Sequence, residues 1–258
     1  MMYGRRETNR PKKSERCWQA ERREEIAKSQ EMASRFPPPD DLSLKRSRVQ
    51  RIGKPIAWKV IQAYEWLGTL PTCTHYFGLM FDGVCGGVAC YSLGSAGSAM
   101  GMSRMLGIAQ GQLAYLSRGA CVHWAPKGSA PRLINYSARE LGKRGAHLAI
   151  AYSDTDAGEI GTVYQAAGWI CIGRGVKSYE WITPSGMTRN RSIVRDVTLK
   201  NKVSWSDAIK MLEGAGWRCQ PVNRKWRYVK VVGSGKSNAS MLSEVEKRVV
   251  DYPKRAGQ

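Results

Sequence analysis

The order of apolar runs and turn signals predicts a mixed α/β fold, and three observations carry it. Asp82-Gly83 sits between the apolar runs THYFGLMF and VCGGVACYSL, the pattern of a two-residue hairpin. The run QLAYLSRGACVHW reads as a long strand, followed by a loop and a helix-period stretch. AHLAIAYS is then a short buried strand, so strands and helices alternate. At 258 residues and 42% hydrophobic, the chain can bury a full core.

The elements follow in order. SERCWQAERREEIAKSQEMASRF reads as an exposed or partner-bound helix with Ser14 as its N-cap, stopped by FPPPDD. LKRSRVQRIGK (44–54) reads as a basic linker, and PIAWKVIQAYEWL as a more apolar helix opened by Pro55. After the hairpin, GSAGSAMGMSRMLGIAQG (94–111) is rich in Gly, Ser and Met, which fits a mobile loop or lid and equally a Met-rich helix. Gly119 interrupts the long strand and predicts a bulge or splay there. In the helix that follows, Pro131 suits the first turn, Leu133, Ile134, Ser137 and Leu141 lie towards one side, and Gly145 is the stop. Residues 152–169, YSDTDAGEIGTVYQAAGW, predict a helix opened by Asp156 and Glu159 as a capping pair and closed by Gly168. ICIGRGVKSYEWI reads as one further strand, and no internal repeat is visible.

Charge divides the chain into three. The formal net charge is +20, which points to a polyanionic partner, nucleic acid or an anionic membrane surface. Residues 1–54 carry 15 basic and 8 acidic side chains, 55–182 carry 10 and 7, and 183–258 carry 16 and 6. This predicts a basic extension over 1–53, a catalytic core over 54–182, and a basic segment over 183–258 that packs on the core and contacts the polyanion. Nine Trp and eleven Tyr against three Phe favour rings that meet polar partners or bases. Seven scattered cysteines without CxxC spacing argue against disulfides and structural zinc and fit a reducing cytosol. Neither a signal peptide nor an apolar run long enough to span a membrane is expected.

Few positions carry chemistry on spacing alone. In PKGSAPR, Gly128 and the small residues Ser129 and Ala130 precede a helix N-terminus, where free N–H groups can face a phosphate. Lys127 and Arg132 add charge, although an ordinary strand-to-helix connection has the same look. Ile160, Val163, Tyr164 and Ala167 share a helical face, so spacing alone favours core packing for Tyr164. Asp154 stands at a strand exit, as a turn former or a functional carboxylate. His75 and Tyr76 begin the first hairpin strand and, being adjacent, face opposite sides of a regular strand. The histidines are His75, His123 and His147, none of them in an HExxH or triad pattern, and core positions are their simplest reading.

The strand–G-x-A–helix–strand–helix run ending in GTVYQAAGW resembles the acyl-CoA-binding half of the GNAT acetyltransferase superfamily. That superfamily carries a Q/R-x-x-G-x-G/A loop for the CoA pyrophosphate; Gly128 and Ala130 match it, while Ala125 stands at the Q/R position. The pieces THYFG, LSRGACVHWAPKGSAPRLI, AYSD, GTVYQAAGW, RKWRYVKV and DYPKR are more specifically similar to the Mom family of phage DNA-modification proteins. The resemblance runs over most of 72–255 and leaves out 1–53.

The resemblance implies a GNAT-like α/β fold, a mixed and largely antiparallel sheet flanked by helices, with basic extensions at both ends. It implies an enzyme that converts adenine in duplex DNA to N6-(carbamoylmethyl)adenine, shielding phage DNA from restriction in the cytoplasm of the bacterial host. An acyl-CoA-like donor and Fe(II) come with it. His75, Tyr76, Asp154 and Tyr164 become active-site residues, with His75 and Asp154 as iron ligands and Tyr164 as the acid that protonates the departing thiolate. Arg118 and Ser129 join Lys127, Gly128, Ala130 and Arg132 at the donor site. An extruded adenine would stack on aromatics such as Tyr76, Tyr91, Trp205, Trp217 or Trp226. Two alternatives stand beside this: a GNAT-type N-acyltransferase acting on a protein, a tRNA or a small amine, and a non-catalytic DNA-binding protein. The oligomeric state is open, a homodimer included.

Overall fold

The computed structural model describes residues 16–94, 99–190, 192–233 and 236–254. Helices α1 (Trp18–Lys28) and α2 (Gln30–Ser34) lead into strand β1 (Arg48–Arg51), helix α3 (Lys54–Tyr64) and the hairpin β2 (His75–Phe81) and β3 (Val84–Leu93). Then come α4 (Ala99–Leu106), β4 (Leu113–Cys121), α5 (Ser129–Gly142), β5 (Leu148–Ser153), α6 (Thr162–Ala166) and β6 (Ile170–Arg174). The chain continues with β7 (Ser178–Ile182), β8 (Thr188–Asn190), α7 (Ser192–Asn201), α8 (Trp205–Gly214), β9 (Arg218–Val222), β10 (Trp226–Val231) and α9 (Lys236–Glu246).

The main sheet has the order β1-β2-β3-β4-β5-β10-β6. Every neighbouring pair in it is antiparallel except β4 and β5. The hairpin forms as predicted, with Asp82 at φ 42° and Gly83 at φ 81°, both central residues left-handed. Cys90 and Tyr91, adjacent on β3, go to opposite faces. Cys90 joins Val60, Ile61 and Tyr64 of α3. Tyr91 joins Leu133 and Leu141 of α5. The sheet is thus covered on both sides, and alternation along one strand feeds two cores.

The feature that shapes the site is the parallel pair. β4 and β5 are bonded only from Leu113↔Leu148 to Tyr115↔Ile150. Beyond that they part, although β4 runs on to Cys121 and β5 to Ser153. The register of β3 on β4 jumps from Cys90↔Arg118 to Tyr91↔Leu116, which leaves Ser117 as a bulged residue. The irregularity expected at Gly119 therefore falls two residues earlier.

Several boundaries differ from the sequence reading, each for a local reason. Residues 48–51 form an edge strand on β2 (Arg48↔Met80 to Arg51↔Phe77), so the basic stretch 44–54 is not only a linker. The 94–111 stretch contains α4, because Met102 and Leu106 bury against Leu113, Ile150 and Val229; residues 95–98 lie outside the described residues. The first helix breaks at Ser29, whose side chain caps α2 by accepting from the Met32 N–H, and Ser14 lies outside the described residues. The run 170–182 is two strands in different sheets, β6 in the large one and β7 in a three-stranded sheet of order β8-β7-β9. That small sheet shares a core with α7 and α8 through Trp181, Val194, Ala208 and Leu212. Its chain returns as β10, which pairs with β5 on one side and β6 on the other. Residue 182 is thus no edge of the core: the main sheet draws a central strand from the basic 183–258 segment.

The stretch after β5 is also reorganised. Asp156 and Glu159 do not form a capping pair; Asp154 caps instead, accepting from the Asp156 N–H at 3.1 Å over a 3-10 turn, Thr155–Ala157. Helix α6 starts only after Gly161, at φ 79°. A Cβ at that position would stand 2.3 Å from the Tyr228 ring, so both conformation and contact require glycine.

Candidate active site at the splayed strands

The gap between β4 and β5 opens into two adjoining cavities. The larger, about 710 Å³, is lined by Glu65, Trp66, Arg118, Tyr152, Asp154 and Lys225 among others. The smaller, about 320 Å³, lies between α1 and the N-terminal ends of α5 and α6, with Arg23, Ala130, Ile134, Gly161 and Thr162 in its wall. Gln19, Leu116, Gly119, Glu159 and Tyr164 line both and form the neck between them.

The three carboxylates of the larger cavity differ in their partners. Asp154, 4% exposed, receives the Lys225 ammonium at 2.8 Å on one oxygen and the Asp156 N–H on the other. Glu65, 7% exposed, accepts from the Leu67 and Gly68 N–H groups and faces the Arg118 guanidinium at 3.5 Å. Burial still raises Glu65 above its ordinary value, against the pull of Arg118. Glu159 is pushed up to about 7 by burial, then by the like charges of Glu65 and Asp154, with Lys225 opposing. A carboxyl near neutrality that touches both cavities can give or take a proton at physiological pH.

Tyr164 serves two roles at once. Its ring packs on Trp169 and Tyr228, with centroids 5.6 and 5.0 Å away, as spacing suggests. The residue also lines both cavities, and burial together with the charge of Glu159 raises its phenol well above the ordinary value, keeping it protonated. Tyr228 is fixed in turn by donating to the Ile160 carbonyl at 2.5 Å.

The geometry brings Arg118, Asp154 and Tyr164 to one cavity, and Ala130 to its neighbour. Arg118 is held by donating to the Thr69 and Ser117 carbonyls. Gly128 caps α5 at φ 91°, and Ser129, its first residue, is buried with a hydroxyl that has no partner among the described residues. Arg132 donates to the Ser47 carbonyl, stacks on Tyr136, and keeps a buried Nε without a partner. Lys127 is exposed.

His75 and Tyr76 line neither cavity. The His75 ring sits 2.9 Å from the Thr74 hydroxyl, and Tyr76 donates to the Cys73 carbonyl on the α3 side. Among the proposed stacking aromatics, Tyr91 is core, bonded to Ser137, and Trp217 packs on the small sheet's core. Trp226 lies under Arg174 at 4.5 Å, and Trp205 is 48% exposed. Sequence reasoning missed Glu65 and Trp66, Lys225, and the cavity role of Glu159. An acid and a Trp set side by side after an apolar helix, in AYEWL, was the available signal.

An iron ion held jointly by His75 and Asp154 does not fit this arrangement. β2 and β5 are separated by β3 and β4, about 14 Å at three strand spacings, whereas each ligand atom must lie within about 2.2 Å of the ion. Asp154 is already engaged by Lys225. Among the described residues, no group of three or more His, Cys, Asp or Glu side chains is placed to hold an ion. No helix of the described residues is long and apolar enough to cross a membrane.

A mixed, largely antiparallel sheet with one splayed parallel pair, and two cavities at the splay, defines a GNAT-like fold. Similar solved structures include the ribosomal-protein-S18-alanine N-acetyltransferase from Escherichia coli, at 12% identity, covering 74% of this chain and 97% of that one, TM-score 0.41. A Bacillus subtilis acetyltransferase in complex with CoA is similar at 9% identity, 72% and 99% coverage, TM-score 0.39. A tandem GNAT protein from the clavulanic acid biosynthesis pathway is similar at 10% identity, 73% and 76% coverage, TM-score 0.35. No curated protein matches the chain. The model of the Mom protein family matches residues 46–254, and the chain belongs to that family.

Proposed function

We propose that the chain is a DNA-modifying transferase that converts adenine in duplex DNA to N6-(carbamoylmethyl)adenine, using an acyl-CoA-like donor, and so protects phage DNA from restriction. The two joined cavities carry this reading. The larger one, with Trp66 and Tyr152 beside three carboxylates, offers rings to stack an extruded base and acceptors for its exocyclic amine. The smaller one leads to the N-terminus of α5, where a donor's phosphates would meet the Ala130 N–H and the positive end of the helix.

The neck residues divide the proton work. Glu159, titrating at about 7, takes the proton that N6 must lose. Tyr164, held protonated, would give its proton to the thiolate when the donor's C–S bond breaks. Acyl transfer alone leaves an N6-amide, so the carbamoylmethyl product requires N6 to bond the donor's α-carbon and the thioester to become the primary amide. Asp154, fixed by Lys225, and Glu65, fixed by Arg118, orient the amine. Duplex DNA would be gripped by the basic flanks: residues 183–222 around the small sheet carry seven Lys and Arg against three Asp and Glu. Such a grip weakens steeply with salt.

Nucleoside mass spectrometry of plasmid DNA from cells expressing the chain tests the reading, beside an Asp154→Ala control. A deoxyadenosine heavier by a carbamoylmethyl group, absent in the control, is expected. Direct transfer of an acetyl group to N6 would give an amide of different mass. Unmodified DNA, with acetylated protein, tRNA or small amines instead, would replace this reading by that of a general N-acyltransferase.

A further inference from the structure

We infer that Arg23, on the N-terminal helix α1, is a phosphate-binding residue of the donor cavity. The inference rests on the acyl-CoA reading above and adds an element outside residues 46–254 that match the family. Helix α1 docks across the splay rather than away from the fold. The Gln19 side-chain amide donates to the Gly119 carbonyl at 3.0 Å, on the part of β4 that has left β5. One Arg23 nitrogen, Nη2, donates to the His123 carbonyl at 3.2 Å and to the Ala125 carbonyl at 2.6 Å. Ile26, 1% exposed, anchors the helix in the α3 core.

These bonds place a guanidinium at the start of the loop that leads to α5. In that loop, which runs from Val122 to Gly128, Ala125 has a side chain with no charge or donor. Arg23 lines the smaller cavity together with Ala130 in the first turn of α5. Its Nε is buried and has no partner among the described residues. A buried donor without an acceptor is costly, and Arg23 borders a cavity that reaches the first turn of α5, where the oxygens of an anion would satisfy it. Its neighbour Arg22 is engaged with Glu25 at 2.7 Å, and Glu24 with Arg16, just before the helix, at 2.6 Å. A guanidinium held by two carbonyls is already ordered, so little conformational freedom remains to be lost when a diphosphate binds.

Calorimetric titration of the full chain with coenzyme A and with pantetheine, which lacks the phosphates, tests this on wild type and Arg23→Ala. The expected result is at least a tenfold weaker coenzyme A affinity in the variant, with pantetheine binding unchanged. Equal coenzyme A affinity in both proteins would overturn the role of Arg23 and leave the donor reading intact. Parallel loss of coenzyme A and pantetheine would make Arg23 a structural support of the cavity, also against the inference. Wild type that binds no coenzyme A would remove the donor reading and the inference together. Arg23→Gln keeps polar contacts to the carbonyls and loses the charge; if Arg23→Ala melts too low to titrate, the same comparison applies to it.

Discussion

The two cavities at the splay are built from different materials. The larger one is walled by ionisable side chains, each fixed by another: Asp154 by Lys225, Glu65 by Arg118 and two N–H groups. The smaller one is walled largely by apolar side chains and helix ends, Leu116, Leu133, Ile134 and Ile160 among them, with Arg23 brought in from a separate helix. Charge sets the chemistry of the first, and an apolar shape with one guanidinium sets that of the second. Point substitutions should therefore act on them differently: loss of activity without loss of donor binding in one, loss of shape and stability in the other.

The largest separation is expected at Asp154. Removing its carboxylate leaves the Lys225 ammonium without its partner and takes away the best-positioned acceptor beside the base site. Asp154→Ala should abolish detectable DNA modification while leaving coenzyme A affinity within about twofold. If donor binding fell together with activity, the two cavities would be one site and the contrast between them would collapse.

Glu159 lies on the boundary and should show it in pH. A base works only when ionised, so wild-type activity should climb through pH about 7 and level off above it. Glu65, Asp154, Lys225 and Tyr164 face it, and the first two hold its titration up. Glu159→Gln should lower the rate by about 10³-fold and flatten that rise. Stability follows the opposite sign. The folded protein keeps this proton to about 7, whereas the unfolded chain releases it near 4.5, so wild type loses stability as pH rises between those values. The Gln variant should escape that loss, and melting curves across this range would reveal it. A pH-rate profile unchanged by the substitution would move the base elsewhere.

The smaller cavity should instead respond to backbone shape. Gly161→Ala places a Cβ 2.3 Å from the Tyr228 ring at a positive φ, and should cost about 3 kcal/mol of stability. Because Tyr228 also supports Tyr164, coenzyme A binding should fall with it. A variant as stable as wild type in urea would mean that this turn is less fixed than its contacts indicate.

What could be read from the residues follows the same division. The hairpin at Asp82-Gly83, the helix after Gly128 and the strand AHLAIAYS were legible because turn chemistry and period are local. The pairing of β10 between β5 and β6 was not, since nothing in RKWRYVKV says which strands it will join. Strand β1 was hidden by its charges: an edge strand with Arg48, Gln50 and Arg51 exposed reads like a linker. In the site, Asp154 and Tyr164 were found through family resemblance, and spacing alone favoured packing for Tyr164. Glu159 was taken for a helix cap because a capping pair and a cavity-lining carboxylate use the same residue type. Only the fold separates the two, by giving the cap to Asp154. Arg23 left no local signal, because its partners His123 and Ala125 lie about a hundred residues away.

Tyr164 carries the smallest expected effect and the finest test of the neck. Its ring is held between Trp169 and Tyr228, so Tyr164→Phe keeps the packing and removes only the hydroxyl. Stability should change by less than about 1 kcal/mol, and coenzyme A affinity should hold. The rate should fall by about 10- to 100-fold, because the departing thiolate would then draw its proton from solvent. A thiolate is a far weaker base than an alkoxide, so the lost acid is partly dispensable and the drop should be shallower than for Glu159→Gln. Equal drops for the two variants would mean that base and acid act through one shared proton network across the neck. An unchanged rate would return Tyr164 to the core that its spacing first suggested.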